Sequence, residues 1–349
     1  MVAVTPDGLI VDVFGPDNLW KANMSDADIF TRIMERPDFS ERFQPGDLFI
    51  LDRGFRNVKP ALEARQYVVK MPPHLVAKQK QLTVKQANAQ RECTAIRWIV
   101  EVINRQLKCN KYLARILSVQ AVPHLLQDIR IAAAIHNKFG TRIIAHSDDR
   151  SVVTRIISRL NLPNDLQRFV DDKRLTRQKS AFQIMDGHSI PEFPEIDPVG
   201  LRTMFGSYGI NLAKSYYADH IYGEEGYQIH IGRVTRFTIK DFQEYGMNVQ
   251  RPLLIRVKLQ SRHSRSKLYQ AYLLCDLNQI SVQSIIGFYC QCLQGARSVS
   301  PCAHVSSVIW FLGHGRHLEI IRIPSEFLNR HFPEGVPTVE SENEDEDED

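Results

Sequence analysis

No apolar run in the 349 residues approaches the roughly 18 that a membrane-spanning helix needs, so a membrane span is not expected. The opening Met1-Val-Ala-Val-Thr-Pro-Asp7 has neither the basic stretch nor the apolar core of a secretory leader. Cysteine is sparse, at six residues, and without a leader the expected setting is intracellular and reducing, so these are thiols or metal ligands rather than disulfides. No internal repeat is present. Acid is nearly missing from residues 53–115, where fourteen bases face only Glu63, Glu92 and Glu101. Base is missing from the last ten residues, which hold eight acids.

Those two one-sided stretches make the nominal net charge of +4 misleading. Without the tail, residues 1–339 carry +12, and residues 53–115 alone carry +11. Residues 1–52 run the other way, with four bases and ten acids. A concentrated basic block favours polyanions as partners, whereas an ordinary solvated face is the plainer reading. The acidic tail is expected to be disordered from about residue 333, a mobile polyanion able to compete for the basic surface. A hydrophobic content of 43% with 17 Phe can build cores, and the length suits about two domains.

Along the chain, residues 2–4 and 9–14 read as short strands around the turn Pro6-Asp7-Gly8. This opening hairpin has no earlier strand to pair with, which points to an N-terminally truncated chain or to a decayed or repurposed relative. Residues 26–34 read as a helix capped by Asp26. Residues 46–52 and 67–72 read as strands. A long helix over 83–117 carries an apolar stripe at Ile96, Val100, Ile103 and Leu107, and a second helix spans about 125–138. Strands interleaved with helices argue for an α/β layer. Residues 141–225 read as a helical linker, with a helix start at Pro163-Asn-Asp165 and prolines at 191, 194 and 198. From 226 to 332 the pattern turns to strands (227–231, 253–259, 268–274, 280–289) and a helix at 305–312, a small α+β unit.

Asp52 ends an apolar strand at a glycine turn, and Glu101 lies mid-helix with 48 residues between them. Arg97 and Arg105 flank Glu101 at i−4 and i+4, and Lys108 continues that face. One reading is a surface ion-pair ladder, worth tenths of a kcal/mol. The other is a pair of metal-binding carboxylates set among phosphate-binding cations. Asp12, on the second strand, is a weaker candidate acid.

Several stretches of residues 1–140 occur in the order and spacing of a known nuclease. They are Val11-Asp-Val-Phe-Gly15, Met24-Ser-Asp26, Pro45-Gly-Asp-Leu-Phe-Ile-Leu-Asp52-Arg-Gly-Phe55 and Met71-Pro-Pro73. Arg97-Trp-Ile-Val-Glu101-Val-Ile-Asn-Arg-Gln-Leu-Lys108 and Asp128-Ile-Arg-Ile-Ala-Ala-Ala-Ile-His-Asn137 follow. Together they resemble the DDE-superfamily endonuclease domain of Harbinger-type and related transposases. The resemblance implies an RNase H-like fold, with Asp52 as the second and Glu101 as the third catalytic carboxylate binding Mg²⁺ or Mn²⁺. In that family the first Asp lies on a strand before the opening hairpin and has no counterpart here. Two shared divalent ions usually need three carboxylates, so a partial, inactive nuclease is expected. The alternative is an active endonuclease or transposase whose first acid comes from a fuller chain or a partner. Arg53, Arg56, Arg97, Arg105 and Lys108, with Lys59 and Arg91, are the expected DNA contacts, sequence-independent and salt-sensitive.

Soft ligands gather near the other end: Cys290-Gln-Cys292, nine residues, then Cys302-Ala-His304. Three sulfurs and an imidazole suit a closed tetrahedral Zn²⁺ site, with Cys302 and His304 at a helix start. Buried thiols and an unrelated histidine are the alternative. The pattern, with the preceding strands and the apolar Val305-Ser-Ser-Val-Ile-Trp310, resembles the SWIM-type zinc finger. That resemblance implies a structural zinc module binding DNA or a protein partner. Arg262, Arg265 and Lys267 are candidate phosphate contacts, or simply a charged hairpin turn. His314 and His317 are expected to be surface or packing residues, and Cys93, Cys109 and Cys275 buried thiols. The expectation is an intracellular, DNA-binding zinc protein, with the nucleus favoured over the cytoplasm. A protein–protein adaptor is the weaker option.

Overall fold

In a computed structural model of the chain, the described residues are 1–15, 24–116, 118–143, 147–185, 190, 192–220, 227–232, 236–261, 264–319 and 321. The acidic tail and Arg262 lie outside them. The chain forms two units, one from Met1–Asn164 with Gln291–Pro301, the other from the described residues of Asp165–Cys290 and Cys302–Asp349. No helix among the described residues is long and apolar enough to cross a membrane.

The first unit mixes short strands and helices. β1 (Val2–Val4) and β2 (Ile10–Val13) are antiparallel. The turn between them needs Gly8, whose φ is +85° and where a Cβ would meet Ile103 and Ile143 at 3.3 Å. The period of two then sorts the strand residues: Ala3 packs toward one apolar cluster, Val2 and Val4 toward another. The first cluster is aromatic and draws on α1 (Asp26–Met34), α2 (Pro37–Arg42) and α3 (Lys59–Ala64). Ile33, Phe39 and Leu62 are fully buried there, each worth roughly 1.5–3 kcal/mol of apolar transfer. Ser25, not Asp26, caps α1: its hydroxyl accepts from the Asp28 amide while the Asp28 carboxylate accepts from the Ser25 amide. Asp26 is the first helical residue, one position inside the cap.

β3 (Leu48–Ile50) and β4 (Val68–Lys70) run parallel, joined through α3. α4 (Val84–Lys108) starts at a capping box of Thr83 and Gln86 and is followed by the short α5 (Lys111–Ala114). The long helix is thus shorter than expected, because Asn110 turns the chain and caps the next segment through the Tyr112 amide. Its buried face is Ile99, Ile103 and Leu107 with Ile96 beside them. Ile99 replaces Val100 in the expected stripe, a choice between i+3 and i+4 that spacing leaves open. α6 (Val122–Phe139) supplies Ala133 to that cluster, and α7 (Ser147–Arg159) follows. Residues 291–301 return to this unit. The Asn88 side chain of α4 accepts from the Ser298 amide at 2.9 Å and donates to the Ser298 hydroxyl at 2.9 Å, while Gln81 donates to the Cys292 carbonyl at 2.7 Å.

The second unit is built on a five-stranded antiparallel meander: β5 (Phe182–Met185), β6 (Tyr227–Gly232), β7 (Pro252–Ser261), β8 (Ser264–Asp276) and β9 (Ile285–Cys290). β5 falls inside the stretch expected to be a helical linker. It is only four residues long, and although Asp186-Gly187 follows it as a turn signal, Phe-Gln-Ile-Met is too short for a period of two to stand out. α8 (Asp165–Asp172) begins where Pro163-Asn-Asp165 predicts. α9 (Pro198–His220) kinks at Gly206, whose φ is +73°. The short α10 (Ile239–Gln243) is capped by a box of Thr238 and Asp241. α11 (Ala303–Gly313) is buried on almost every side, packed against α9 and the sheet. An apolar helix without a polar stripe must be enclosed this way.

Candidate functional site

Two groupings of chemically capable side chains stand out among the described residues. They differ in every physical respect.

The first lies on the basic block of the first unit. β3 and the turn after it place Asp52, whose carboxylate accepts from the Arg53 amide at 2.7 Å and so caps the single 3-10 turn Arg53–Phe55. α4 places Arg97 and Glu101 one turn apart. One guanidinium nitrogen, Arg97 Nη1, lies 3.2 Å from Asp52 Oδ2 and 3.4 Å from Glu101 Oε1. The strand acid and the helix acid, distant in sequence, therefore converge on one cation. Both carboxylates are more than half exposed, so their attraction to Arg97 is screened by water. Arg53, Arg56, Arg105 and Lys108 are exposed around them and make no ion pair among the described residues. Lys59 pairs with Glu63 at 3.6 Å.

The donor set suits a hard divalent cation: carboxylate oxygens that already share one positive charge, in solvent that would complete the shell. No third acid joins them among the described residues. Asp12 is buried and ion-paired to Arg42 at 2.6 Å and Arg130 at 3.5 Å, with its Oδ1 also accepting from the Val13 amide. That pairing ties β2 to α2 and α6, and it accounts for Asp12 without catalysis.

The second grouping is Cys290, Cys292, Cys302 and His304, all buried, with one ligand atom from each lying within 4.8 Å of all the others. Cys290 ends β9, and Cys302 is the N-terminal boundary residue of α11, with His304 in that helix's first turn. His304 Nδ1 is 3.9 Å from both Cys290 Sγ and Cys302 Sγ. Tetrahedral zinc, with bonds of about 2.3 Å to sulfur and about 2.0 Å to nitrogen, spaces its ligand atoms roughly 3.5–3.8 Å apart. The cluster is thus of nearly the right size to close on an ion. Tyr216 and Tyr269 pack edge-on against the imidazole, at 5.1 and 5.2 Å between ring centres. Nδ1 is the ring nitrogen that faces the sulfurs. None of the six cysteines is in a disulfide.

Other candidates separate from these sites. His314 and His317 lie past the helix and outside the cluster, as expected. Cys93 and Cys275 are buried, and desolvation pushes both thiols up, Cys275 very far. Cys109 is exposed instead, because it follows the last turn of α4 just beyond Leu107. Lys267 is exposed on β8, next to the hairpin turn, and its partner Arg262 is outside the described residues. Trp98 was not singled out by motif or spacing, yet it is 46% exposed on α4 between Arg97 and Glu101. A large aromatic set outside the apolar stripe of a basic helix was the available signal.

Residues 1–137 match the family model of the DDE superfamily endonuclease. The match covers less than half of the chain and stops well short of the cysteine cluster. No curated protein and no solved structure matches the chain.

Proposed function

We propose that this chain is a transposase-derived, DNA-binding zinc protein, in which an RNase H-like DDE nuclease module has been kept for binding rather than cleavage. The observation that supports it is the convergence of Asp52 and Glu101 on Arg97, within the segment matched by the endonuclease family and within a strongly basic stretch of the chain. In this reading Asp52 and Glu101 are the second and third acids of the nuclease and would hold Mg²⁺ or Mn²⁺. A divalent ion there would supply Lewis acidity and a lowered water pKa. The chain's own residues do the rest: Arg53, Arg56, Arg105 and Lys108 hold the phosphate backbone, and Arg97 sets the local charge balance. Two acids do not suffice to share two ions, so cleavage by this chain alone is not expected.

Cys290, Cys292, Cys302 and His304 would hold one structural Zn²⁺ in a SWIM-type module spanning about residues 226–332. With all four positions filled by protein, the ion has no open site for substrate and serves folding and binding. With DNA as the partner, this reading favours the nucleus over the cytoplasm.

A second reading is an active endonuclease completed by a carboxylate from a fuller chain or a partner subunit; the nearness of Asp52 to Glu101 through Arg97 is common to both readings. One set of measurements decides. Duplex binding by this protein should weaken steeply between low and moderate salt, and supercoiled DNA should stay intact in Mg²⁺ and in Mn²⁺. Nicking that disappears in Asp52→Ala and in Glu101→Ala selects the nuclease. Binding that ignores salt, or fails at low salt, removes the DNA reading and leaves a protein adaptor.

A further inference from the structure

The exposed face of α4 carries more than charge. Positions 91, 98 and 105 are seven apart, two helical turns, and so share one line along the helix. That line reads Arg91, Trp98, Arg105, of which Trp98 and Arg105 are exposed and Arg91 is half-buried, with Glu101 and Lys108 beside it. Trp98 is 46% exposed, whereas the other tryptophan among the described residues, Trp310, is 2% exposed in the second unit. Leaving much of an indole in water forgoes apolar burial, on a helix whose opposite face packs Ile99, Ile103 and Leu107 efficiently.

The orientation of the ring narrows its use. Its Nε1–H donates to the Ala95 carbonyl at 2.9 Å, one turn back on the same helix. The one polar handle is therefore engaged, and the ring offers its π face and apolar edge. A side chain of this kind does not read base edges by hydrogen bonds. It can stack, and stacking accepts any base. The neighbouring Arg105 and Lys108 are exposed and without ion pairs among the described residues, as phosphate contacts require. Glu101 lies three residues after the tryptophan, a neighbour on the helix surface, and it shares Arg97 with Asp52, so the indole adjoins this acid pair on the Glu101 side. In an intact duplex the base faces are hidden in the stack, and only an unpaired or extruded nucleotide presents one.

We propose that Trp98 is a stacking platform for an unpaired nucleobase beside the Asp52–Glu101 pair, giving this face a preference for single-stranded or frayed DNA over intact duplex. The inference rests on the DNA-binding reading of the basic face. It requires no cleavage and no metal, so it holds for an inactive nuclease as well as an active one.

The test uses the full chain and two variants, Trp98→Phe and Trp98→Ala, with 15-residue oligothymidylate and a blunt duplex of equal length at one moderate salt concentration. Affinity is read by anisotropy of a labelled strand, and stacking by quenching of tryptophan fluorescence. Oligothymidylate should quench the wild-type protein, and that quenching should vanish in Trp98→Phe. Trp98→Ala should weaken oligothymidylate binding about five- to hundredfold, the effect of losing one base–aromatic stack, and leave duplex binding within about twofold. Trp98→Phe, which keeps a ring, should retain most of the single-strand affinity, and its helical circular dichroism checks the fold. Unchanged single-strand affinity in Trp98→Ala overturns the proposal, as does equal loss on both ligands or quenching that persists in Trp98→Phe. If the wild-type chain binds neither ligand, the DNA-binding reading itself fails, and that outcome is distinct from binding without a single-strand preference.

Discussion

The acid pair and the cysteine cluster show two ways of gathering ligands for a cation. Asp52 and Glu101 are exposed, 48 residues lie between them, and a guanidinium from the same helix balances them. The four soft ligands lie within fifteen residues of one another, are buried, and have no acid among them. Solvent explains the difference. Water stabilises two lone carboxylates, so the first site can exist loosely and exchange its cation. Three sulfurs and a ring packed away from water gain most by closing on a metal, so the second is suited to permanent occupancy. In the proposed reading the exposed site would exchange its ion and the buried one would hold the fold.

The largest expected effect tests that permanence. The protein should carry one zinc per chain by metal analysis, and Cys302→Ser should lose it. Structural zinc binding is worth on the order of 10 kcal/mol in small domains, so a strong chelator should lower the melting temperature by well over 10 °C. A chain without zinc, or with an unmoved melting curve, would erase the contrast between the two sites.

Removing charge from the exposed site should act on binding and not on folding. Arg105→Ala with Lys108→Ala should weaken duplex DNA binding about evenly across sequences and reduce the slope of log affinity against log salt by about 2. Their removal should leave the unfolding midpoint nearly unchanged, since neither makes an ion pair among the described residues. A retained slope would place the DNA elsewhere on the chain.

A smaller effect concerns a carboxylate whose role is local folding, in the second unit. Hydrogen bonds from the Thr238 amide and hydroxyl, then the Lys173 ammonium at 3.1 Å, hold Asp241 down at about 2. A carboxylate depressed in the folded state stabilises it above the ordinary value near 3.8 and loses that contribution as pH falls toward 2. Asp241→Asn should cost about 1 kcal/mol at neutral pH, as a lost cap does. The gap from wild type in urea unfolding should close between about pH 4 and pH 2. A gap independent of pH would mean that the charge contributes nothing.

The smallest effect on stability, and the most telling about exchange, is Arg97→Gln. An ion pair this exposed contributes less than about 1 kcal/mol, so melting should barely move. Mn²⁺ binding measured by paramagnetic resonance should tighten several-fold, because a competing cation has gone, and should disappear in Asp52→Asn with Glu101→Gln. Equal Mn²⁺ affinity with and without Arg97 would show that the two acids never shared a site.

Much of this was legible in the residues. The period of two placed β1, β2, β7 and β8 within a few residues, and the period near 3.6 placed α1, α6 and α11. The cysteine cluster was legible because its ligands are sequence neighbours, so a short loop confines them before any tertiary contact forms. The capping residue of α1 and the buried side of α4 were misplaced by one position. Single-residue register depends on which side chain meets the core, which local pattern does not state. Exposed Cys109 is the same kind of miss.

The sequence by itself determined the charge blocks, the soft ligand set and the order of most elements, since these depend on composition and on spacings of a few residues. Only the tertiary structure decided that Arg97 touches both acids, that Asp12 is engaged with Arg42 and Arg130, that β5 joins the sheet and that Trp98 faces solvent. Each of those joins or separates residues far apart in the chain, and such pairings are chosen by packing, where many weak contacts must be satisfied together.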